Sequence, residues 1–322
     1  ANGRASAGMA YASSDEEIAR YLAEQESLRV AIEIQAAEDA AFAYDLQIER
    51  IKEEEVLDSS PWRGEGKTSK DEVLNRLTPC QGAALSHVDG VARFWHNEAL
   101  SGLQARVSGL GFTLDDLDEC LRYVRDEAPI VVHLNEETLA KLCKDPWYRS
   151  QFETGTSGGA LGRERRQKWE DSMFGGAYSN AKDEERPKYG ALNITGDILG
   201  VRRARPYGEF FMILSRAVRY RTTFANEDTG SEKGREKLAT NDWYAHVLAE
   251  YSDDELRTVL RVSTSSRLGG AHSMSFTQYK ECQIHGPLSI IGDVIALSVP
   301  GKQAEASTKL QNFVESFREL SG

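Results

Sequence analysis

Six short runs rich in β-branched and aromatic residues follow one another from Pro129 onward, separated by polar or glycine-rich stretches. Runs of this length and composition are typical of β-strands. Two stretches with helical spacing, residues 135–144 and 241–261, interrupt them. This order predicts an α+β domain over residues 129–322. The six runs read PIVVHLN, YGALNI, GEFFMILS, RYRTTF, QYKECQIHG and SIIGDVIALSV.

The chain before Pro129 has a helical pattern. Residues 71–128 place apolar side chains three and four positions apart, which predicts a helical subdomain. Thr113, ahead of two aspartates, is the expected cap of one of its helices. Residues 59–70, which contain Pro, Gly and Ser, predict a linker. Residues 1–8 are interpreted as a cloning remnant.

Composition excludes several classes of protein. The 322 residues carry a net charge of −12, so contact with nucleic-acid phosphates is unfavourable. No apolar run approaches the roughly 20 residues that span a bilayer, and we expect no membrane contact. The four cysteines form no CxxC pair, which favours reduced thiols and a cytoplasmic location. No histidine pair has metal-ligand spacing, and no GxGxxG, P-loop or GxSxG motif is present.

Most of the negative charge lies in one segment. Residues 9–60 hold 14 acidic and 4 basic side chains, a net charge of −10. Residues 10–58 contain neither Gly nor Pro, and the segment 9–58 is predicted to be helical. Within it, EDAAFAYDLQIER resembles the short helices that bind ubiquitin, which implies ubiquitin as a partner. A plain acidic coil, or a helix packed on the body of the protein, is the alternative. The residues that would contact ubiquitin are Asp39, Phe42, Ala43, Leu46 and Gln47.

The run TQYKECQIHGPLS carries an unusual row of polar side chains. Alternation along a strand places Tyr279, Glu281, Gln283 and His285 on one face. Such rows are common on the solvent side of antiparallel sheets. The turn that follows at Gly286 instead favours a functional rim of the sheet.

The stretch SQFETGTSGG offers hydroxyls and glycine N–H groups that suit phosphate and sugar oxygens. Read as a strand, it alternates Gln151, Glu153 and Gly155 with Phe152 and Thr154; the alternative is a strand that enters a flexible glycine loop. A basic cluster follows, which predicts either a diphosphate site or a solvated helix face. The cluster comprises Arg163, Arg165, Arg166 and Lys168.

Taken in order, seven motifs resemble an uncharacterised microbial family, domain of unknown function 3626, over roughly residues 77–298. They are LTPCQGAAL, IVVHLN, YRSQFETGTSGG, WEDSMFGGAY, RPKYGALN, RTTF and ECQIHGPLS. The motifs and the order of the strands also resemble a diverged ADP-ribosyltransferase fold. That resemblance implies a split, mainly antiparallel sheet that binds NAD, with Glu281 as the catalytic carboxylate. It further implies that His133 and the FETGTS segment line the NAD cleft.

The sequence departs from the pattern of those transferases at two places. Their arginine-specific class has Ser-Thr-Ser where this chain has Thr154-Gly155-Thr156-Ser157. It also has a second acid where this chain has Gln283, so Glu281 has either the catalytic or a helper role, and Glu153 is a second candidate. The expected function is NAD-dependent mono-ADP-ribosylation of a protein, with ubiquitin or a ubiquitylated protein as the candidate acceptor. The alternative is a non-catalytic ubiquitin-binding adaptor whose α+β domain binds a nucleotide or a peptide. The expected NAD-binding residues are His133, Gln151, Thr154, Gly155, Thr156, Ser157, Arg166, Arg186, Tyr189 and Gln283.

Overall fold

The computed structural model of the chain describes residues 68–142, 144–155, 162–197, 199–264, 276–298 and 315. Several predictions concern residues outside these ranges: the remnant over 1–8, the acidic helix over 9–58 with its five partner-binding side chains, nearly all of the linker, and the hydroxyls of Thr156 and Ser157. In the part of the chain that is described, no helix is both long enough and apolar enough to cross a membrane.

Among the described residues, three helices precede the sheet. Helix α1 is Lys70–Leu74, α2 is Pro79–Gly109 and α3 is Leu114–Asp126. The Thr113 hydroxyl accepts a hydrogen bond from the Asp116 amide (3.1 Å), and the Asp116 carboxylate accepts one from the Thr113 amide (2.8 Å). This reciprocal pair satisfies backbone groups that a helix start leaves unpaired. Thr113 is therefore the cap that the sequence predicts.

The later helices lie between and beside the strands. Residues 241–261, expected to form one helical stretch, belong to two helices. A new helix begins after Ser252 because its hydroxyl accepts from the Glu255 amide (3.2 Å), while the Glu255 carboxylate accepts from the Ser252 amide (2.9 Å). The remaining helices are α4 Glu136–Leu142, α5 Gln151–Thr154, α6 Arg163–Met173, α7 Glu232–Glu236, α8 Ala245–Ala249, α9 Asp253–Thr264 and α10 Ile290–Asp293.

The six predicted runs each contain one strand, and the strands form a single antiparallel sheet with the order β4-β5-β2-β1-β3-β6. The expected α+β class is confirmed at this level. Two runs are only partly extended, because residues 216–221 form a 3-10 helix and residues 290–293 form α10. The strands are β1 Ile130–Leu134, β2 Lys188–Leu192, β3 Phe210–Leu214, β4 Thr222–Phe224, β5 Lys280–Ile284 and β6 Val294–Ser298.

The two faces of the sheet have different surroundings. One face is apolar and joins α2, α3, α8 and α9 in the main core, with Val132, Met212 and Ile284 among its buried members. The other face carries a smaller apolar cluster that includes Val131 and Phe211. Along β1 and β3 the residues alternate between the two clusters, as the pleat requires. The second face is the one that carries the polar row of β5.

Candidate functional site

A cavity of about 480 Å³ lies where strands β1 and β2 stop pairing. The two strands pair at Ile130 with Leu192 and at Val131 with Ala191, and at no further position of their register. Continuation of the register would bring His133 opposite Tyr189, and both residues instead line the cavity. A volume of this size is typical of small-molecule sites, which span about 300–1,000 Å³.

Glu281 reaches the cavity from β5, the strand on the far side of β2. One carboxylate oxygen, Oε1, accepts hydrogen bonds from the Thr229 hydroxyl and from Gln283 Nε2 (3.0 Å). The other, Oε2, accepts from the Tyr279 hydroxyl (3.2 Å). Burial raises the pKa of Glu281 to about 7, the Thr229 hydrogen bond opposes that shift, and the Asp228 charge adds to it. Glu281 therefore changes protonation state near neutral pH.

The polar row of β5 is buried and does not face solvent. Glu281 is 5% exposed, and Gln283 and His285 are 0% exposed. Alternation placed these side chains on one face correctly, and the common solvent-facing interpretation is wrong for them. Gln283, expected among the NAD-binding residues, does not line the cavity: its amide contacts Glu281 and the Thr223 hydroxyl (2.9 Å).

His133 lines the cavity with both ring nitrogens already engaged. Its Nδ1 lies 2.8 Å from the Gly208 carbonyl oxygen, and its Nε2 accepts from the Val201 amide (3.0 Å). A carbonyl only accepts and an amide only donates, so the proton sits on Nδ1 and the ring is neutral. Burial lowers the pKa of His133, which agrees with that state. The ring therefore forms a fixed, uncharged wall of the cavity.

Tyr189 and Arg166 form an adjoining wall. The Arg166 guanidinium lies 5.2 Å from the centre of the Tyr189 ring, and both residues line the cavity. The Tyr189 hydroxyl donates to Glu170 Oε1 (3.0 Å). The cavity is therefore lined at this point by an aromatic ring with a cation beside it.

Arg186, expected to bind a diphosphate, does not line the cavity. It is 3% exposed, donates to Glu170 Oε2 (2.7 Å) and to the Tyr178 carbonyl oxygen (2.9 Å), and lies over the Phe152 ring. A buried carboxylate requires such a partner, because a lone charge in the interior is strongly unfavourable. Arg186 therefore neutralises Glu170 and is unavailable to a ligand.

The segment expected to be a strand at residues 151–154 is helix α5. The Ser150 hydroxyl accepts from the Glu153 amide (3.2 Å), and the Glu153 carboxylate accepts from the Ser150 amide (2.7 Å). This reciprocal cap starts a helical turn that overrides the alternating pattern. Gly155 ends the turn with φ +65°, a conformation that suits glycine.

Helix α5 changes which of its side chains meet the cavity. Gln151 and Thr154 line it, whereas Glu153 and Gly155 do not. The Thr154 hydroxyl donates to the Ser150 carbonyl oxygen (3.2 Å). Glu153 is also paired with Arg149 (3.1 Å), so its carboxylate serves the helix start and an ion pair. This geometry disfavours Glu153 as the catalytic carboxylate.

The basic cluster of helix α6 does not act as one unit. Arg163 pairs with Asp183 at the surface, and Arg165 lies over the Trp169 ring, 5.1 Å from its centre. Within the cluster, only Arg166 lines the cavity. The cluster is therefore in part a solvated helix face, as one of the two interpretations expected.

Several of the residues that line the cavity escaped the sequence interpretation, among them Trp169 and three residues of later segments. The guanidinium groups of Arg165 and Arg235 both lie over the Trp169 ring, at 5.1 Å and 4.7 Å from its centre. The others come from a turn after β4 and from a 3-10 helix. For the turn after β4, the sequence signal was Asn-Glu-Asp-Thr-Gly directly after a strand. Such residues are typical of a turn that positions polar side chains at the rim of a sheet. These three residues are Tyr207, Asp228 and Thr229.

The fold and the site define an α+β protein with a small-molecule-sized cavity beside a buried, titratable glutamate. Residues 131–258, about two fifths of the chain, match the model of a family described as a protein of unknown function, DUF3626. This match confirms, over those residues, the resemblance to that uncharacterised family. No curated protein matches the chain.

Proposed function

We propose that this protein is an NAD-dependent ADP-ribosyltransferase that modifies a protein. The observation that carries the proposal is the meeting of His133 from β1, Tyr189 from β2 and Glu281 from β5 in one cavity. The cavity opens where β1 and β2 cease to pair, as in the split sheet of the transferases that the sequence resembles.

Cleavage of the nicotinamide–ribose bond requires stabilisation of positive charge. The bond breaks through an oxocarbenium-like state, as in glycoside hydrolysis. The ionised Glu281 carboxylate accepts a hydrogen bond from a ribose hydroxyl and favours the developing charge. The fixed rings of Tyr189 and His133 supply flat walls for the nicotinamide. Cleavage therefore needs the carboxylate and the rings in the same cavity, which is the arrangement that supports the proposal.

The phosphates of NAD need cationic and hydroxyl partners. Arg166 and Thr154 line the same cavity as Glu281. The arginine fork suits a diphosphate, and the Thr154 hydroxyl would have to turn away from the Ser150 carbonyl oxygen to donate to it. Arg186 and Gln283 are excluded from this role by their buried contacts. Gln151 completes the proposed set of NAD-binding side chains.

The acceptor remains a proposal from sequence. Because the acidic segment resembles ubiquitin-binding helices, ubiquitin or a ubiquitylated protein is the first acceptor to test. Its five candidate contacts, Asp39 to Gln47, lie outside the described residues. The cytoplasmic location predicted from the cysteines is consistent with such an acceptor.

The test is release of nicotinamide from NAD by the full chain, with and without ubiquitin, combined with mass spectrometry of the ubiquitin. Release that exceeds the rate without protein, together with ADP-ribose on the acceptor, is the expected result. Release without any modified acceptor would identify an NAD glycohydrolase. Bound NAD with no release under either condition would contradict the proposal.

The rate of nicotinamide release should depend on pH through Glu281. Its ionised form is the active one, and its pKa is raised to about 7 chiefly by burial. We therefore expect kcat/KM to rise about tenfold per pH unit below that pKa and to level off above it. Initial rates from about pH 5.5 to about pH 8.5 check this, with a flat profile as the contrary result.

A further inference from the structure

Behind Glu281, four polar side chains form an unbroken hydrogen-bonded row through the protein interior. Tyr178, His285, Thr223 and Gln283 are each 0% exposed. The Tyr178 hydroxyl lies 2.7 Å from His285 Nδ1, and Thr223 Oγ1 lies 3.2 Å from His285 Nε2. Thr223 Oγ1 lies 2.9 Å from Gln283 Oε1, and Gln283 Nε2 lies 3.0 Å from Glu281 Oε1. Only the glutamate end of this row reaches the cavity.

The donors and acceptors of this row all point in one direction. Gln283 Nε2 donates to Glu281, so its Oε1 faces Thr223 and accepts the hydroxyl proton. The Thr223 oxygen then accepts from Nε2–H of His285, which leaves Nδ1 as the acceptor for the Tyr178 hydroxyl. In every hydrogen bond of the row, the donor therefore lies farther from the Glu281 carboxylate than the acceptor does.

Tyr178 anchors that direction. A reversed row would require Nδ1–H of His285 to donate to the Tyr178 oxygen, and the Tyr178 hydroxyl would then need another acceptor. Among the described residues, the structure gives this hydroxyl no acceptor other than His285. Phe174 packs edge-on against the His285 ring at 5.1 Å between ring centres and holds it in place.

The imidazole of His285 is a neutral member of the row. Burial lowers the pKa of His285 to about 3, and the nearby charges of Arg221 and Lys188 act in the same direction. His285 therefore keeps one proton at all pH values near neutral. The ring stays uncharged, accepts from Tyr178 at Nδ1 and donates to Thr223 from Nε2.

We propose that Tyr178, His285, Thr223 and Gln283 are positioning residues that favour the ionised form of Glu281, an inference that rests on the proposed role of Glu281. An amide locked with its N–H group toward a carboxylate stabilises the ionised state, whereas a free amide turns its oxygen toward a protonated one. The buried row fixes the orientation of the Gln283 amide, and neither solvent nor a ligand is needed to keep that orientation.

Other groups also face Glu281 and contribute to its titration. Asp228, in the turn after β4, disfavours the ionised form, while the Thr229 hydroxyl and amide favour it. Tyr279, directly before β5, donates to the carboxylate. Tyr189 on β2 and Tyr207 interact with its charge. A test must therefore change the row and leave these groups untouched.

The Thr223→Val variant removes the donor that fixes the Gln283 amide and keeps the β-branched shape. The pKa of Glu281, measured from the ¹³C shift of its carboxyl carbon, should rise by roughly half a unit to one unit. Thr222→Val is the matched control, because Thr222 is also buried on β4 but donates to the Val218 carbonyl oxygen (2.8 Å). The control should leave the Glu281 titration unchanged.

A second measurement needs no variant. The ¹⁵N shifts of His285 in the unaltered full chain should report a neutral ring with the proton on Nε2. A proton on Nδ1 would overturn the proposed direction of the row, even if Thr223→Val failed to fold. An unchanged Glu281 pKa in folded Thr223→Val would overturn the positioning role.

Nicotinamide release separates this inference from the proposed function. If the unaltered chain releases nicotinamide, the acid limb of the pH–rate profile in Thr223→Val should shift to higher pH by the same amount as the Glu281 pKa. If the pKa moves but the unaltered chain releases no nicotinamide, the row is supported and the proposed function fails. If nicotinamide is released and the pH–rate profile does not shift with the Glu281 pKa, the row does not position the group that acts on NAD.

Discussion

Replacing Glu281 with Gln should reduce nicotinamide release from NAD by about 10²–10³-fold, because one preorganised electrostatic group typically contributes that much to a rate. The amide keeps the size of the side chain but cannot offset positive charge at the ribose. The loss should appear mainly in kcat, because NAD binding also depends on the rings and on the phosphate contacts. Steady-state release assays, with NAD binding followed by calorimetry, check both parts.

Two control variants make this test specific. Glu137 lines the same cavity with its side chain 76% exposed, so Glu137→Gln removes an equal charge without touching the buried site. Its rate should stay within about twofold of the unaltered chain. Glu153→Gln tests the other candidate carboxylate, which caps helix α5. A large loss in Glu153→Gln combined with normal turnover in Glu281→Gln would reverse the assignment.

The strand positions of the site could be predicted because alternation is a local property. His133, Tyr189 and Glu281 each lie on a short run whose period is visible in the sequence, and each run contains one strand. Side chains that alternate with apolar partners must point to one face. The face itself was harder to assign, since a buried polar row and a solvent-facing one have the same period.

Contacts between distant segments could not be predicted in the same way. Thr229 lies 52 residues before Glu281 and donates to it from a turn, and nothing local to either residue records that pairing. Arg186 likewise has the composition of a phosphate ligand. Arg186 lies outside the cavity because it pairs with Glu170, a buried carboxylate on helix α6 that requires a cation. Partner choice of this kind follows from the assembled fold.

A short local signal also went unused at helix α5. Ser150 followed three residues later by Glu153 is the pattern of a reciprocal helix cap, and the structure contains both of its hydrogen bonds. The alternation of Gln151, Phe152 and Glu153 spans too few residues to outweigh that cap. The hydroxyl of Thr154 nevertheless meets the cavity, because one helical turn places it and Gln151 there together.

The Gly208→Ala substitution should lower the free energy of unfolding by about 3 kcal/mol or more, which corresponds to a Tm lower by roughly 5–10 °C. Gly208 has φ +146°, and a Cβ atom there would lie 1.8 Å from the Leu134 carbonyl oxygen and 2.4 Å from the Asn135 amide nitrogen. Backbone atoms cannot move aside as a flexible side chain does. The end of strand β1 must therefore shift, and with it the Gly208 carbonyl that holds Nδ1 of His133.

Gly111→Ala separates strain in the backbone angle from this close approach. Gly111 has φ +87° but open space within 4 Å of an added Cβ, so its substitution should cost only about 1 kcal/mol. Thermal unfolding of both variants, followed by circular dichroism, gives the comparison. Because His133 forms a wall of the cavity, Gly208→Ala should also weaken NAD binding below its Tm, whereas Gly111→Ala should not. Equal losses of stability would show that Gly208 does not pack against the end of β1 in solution.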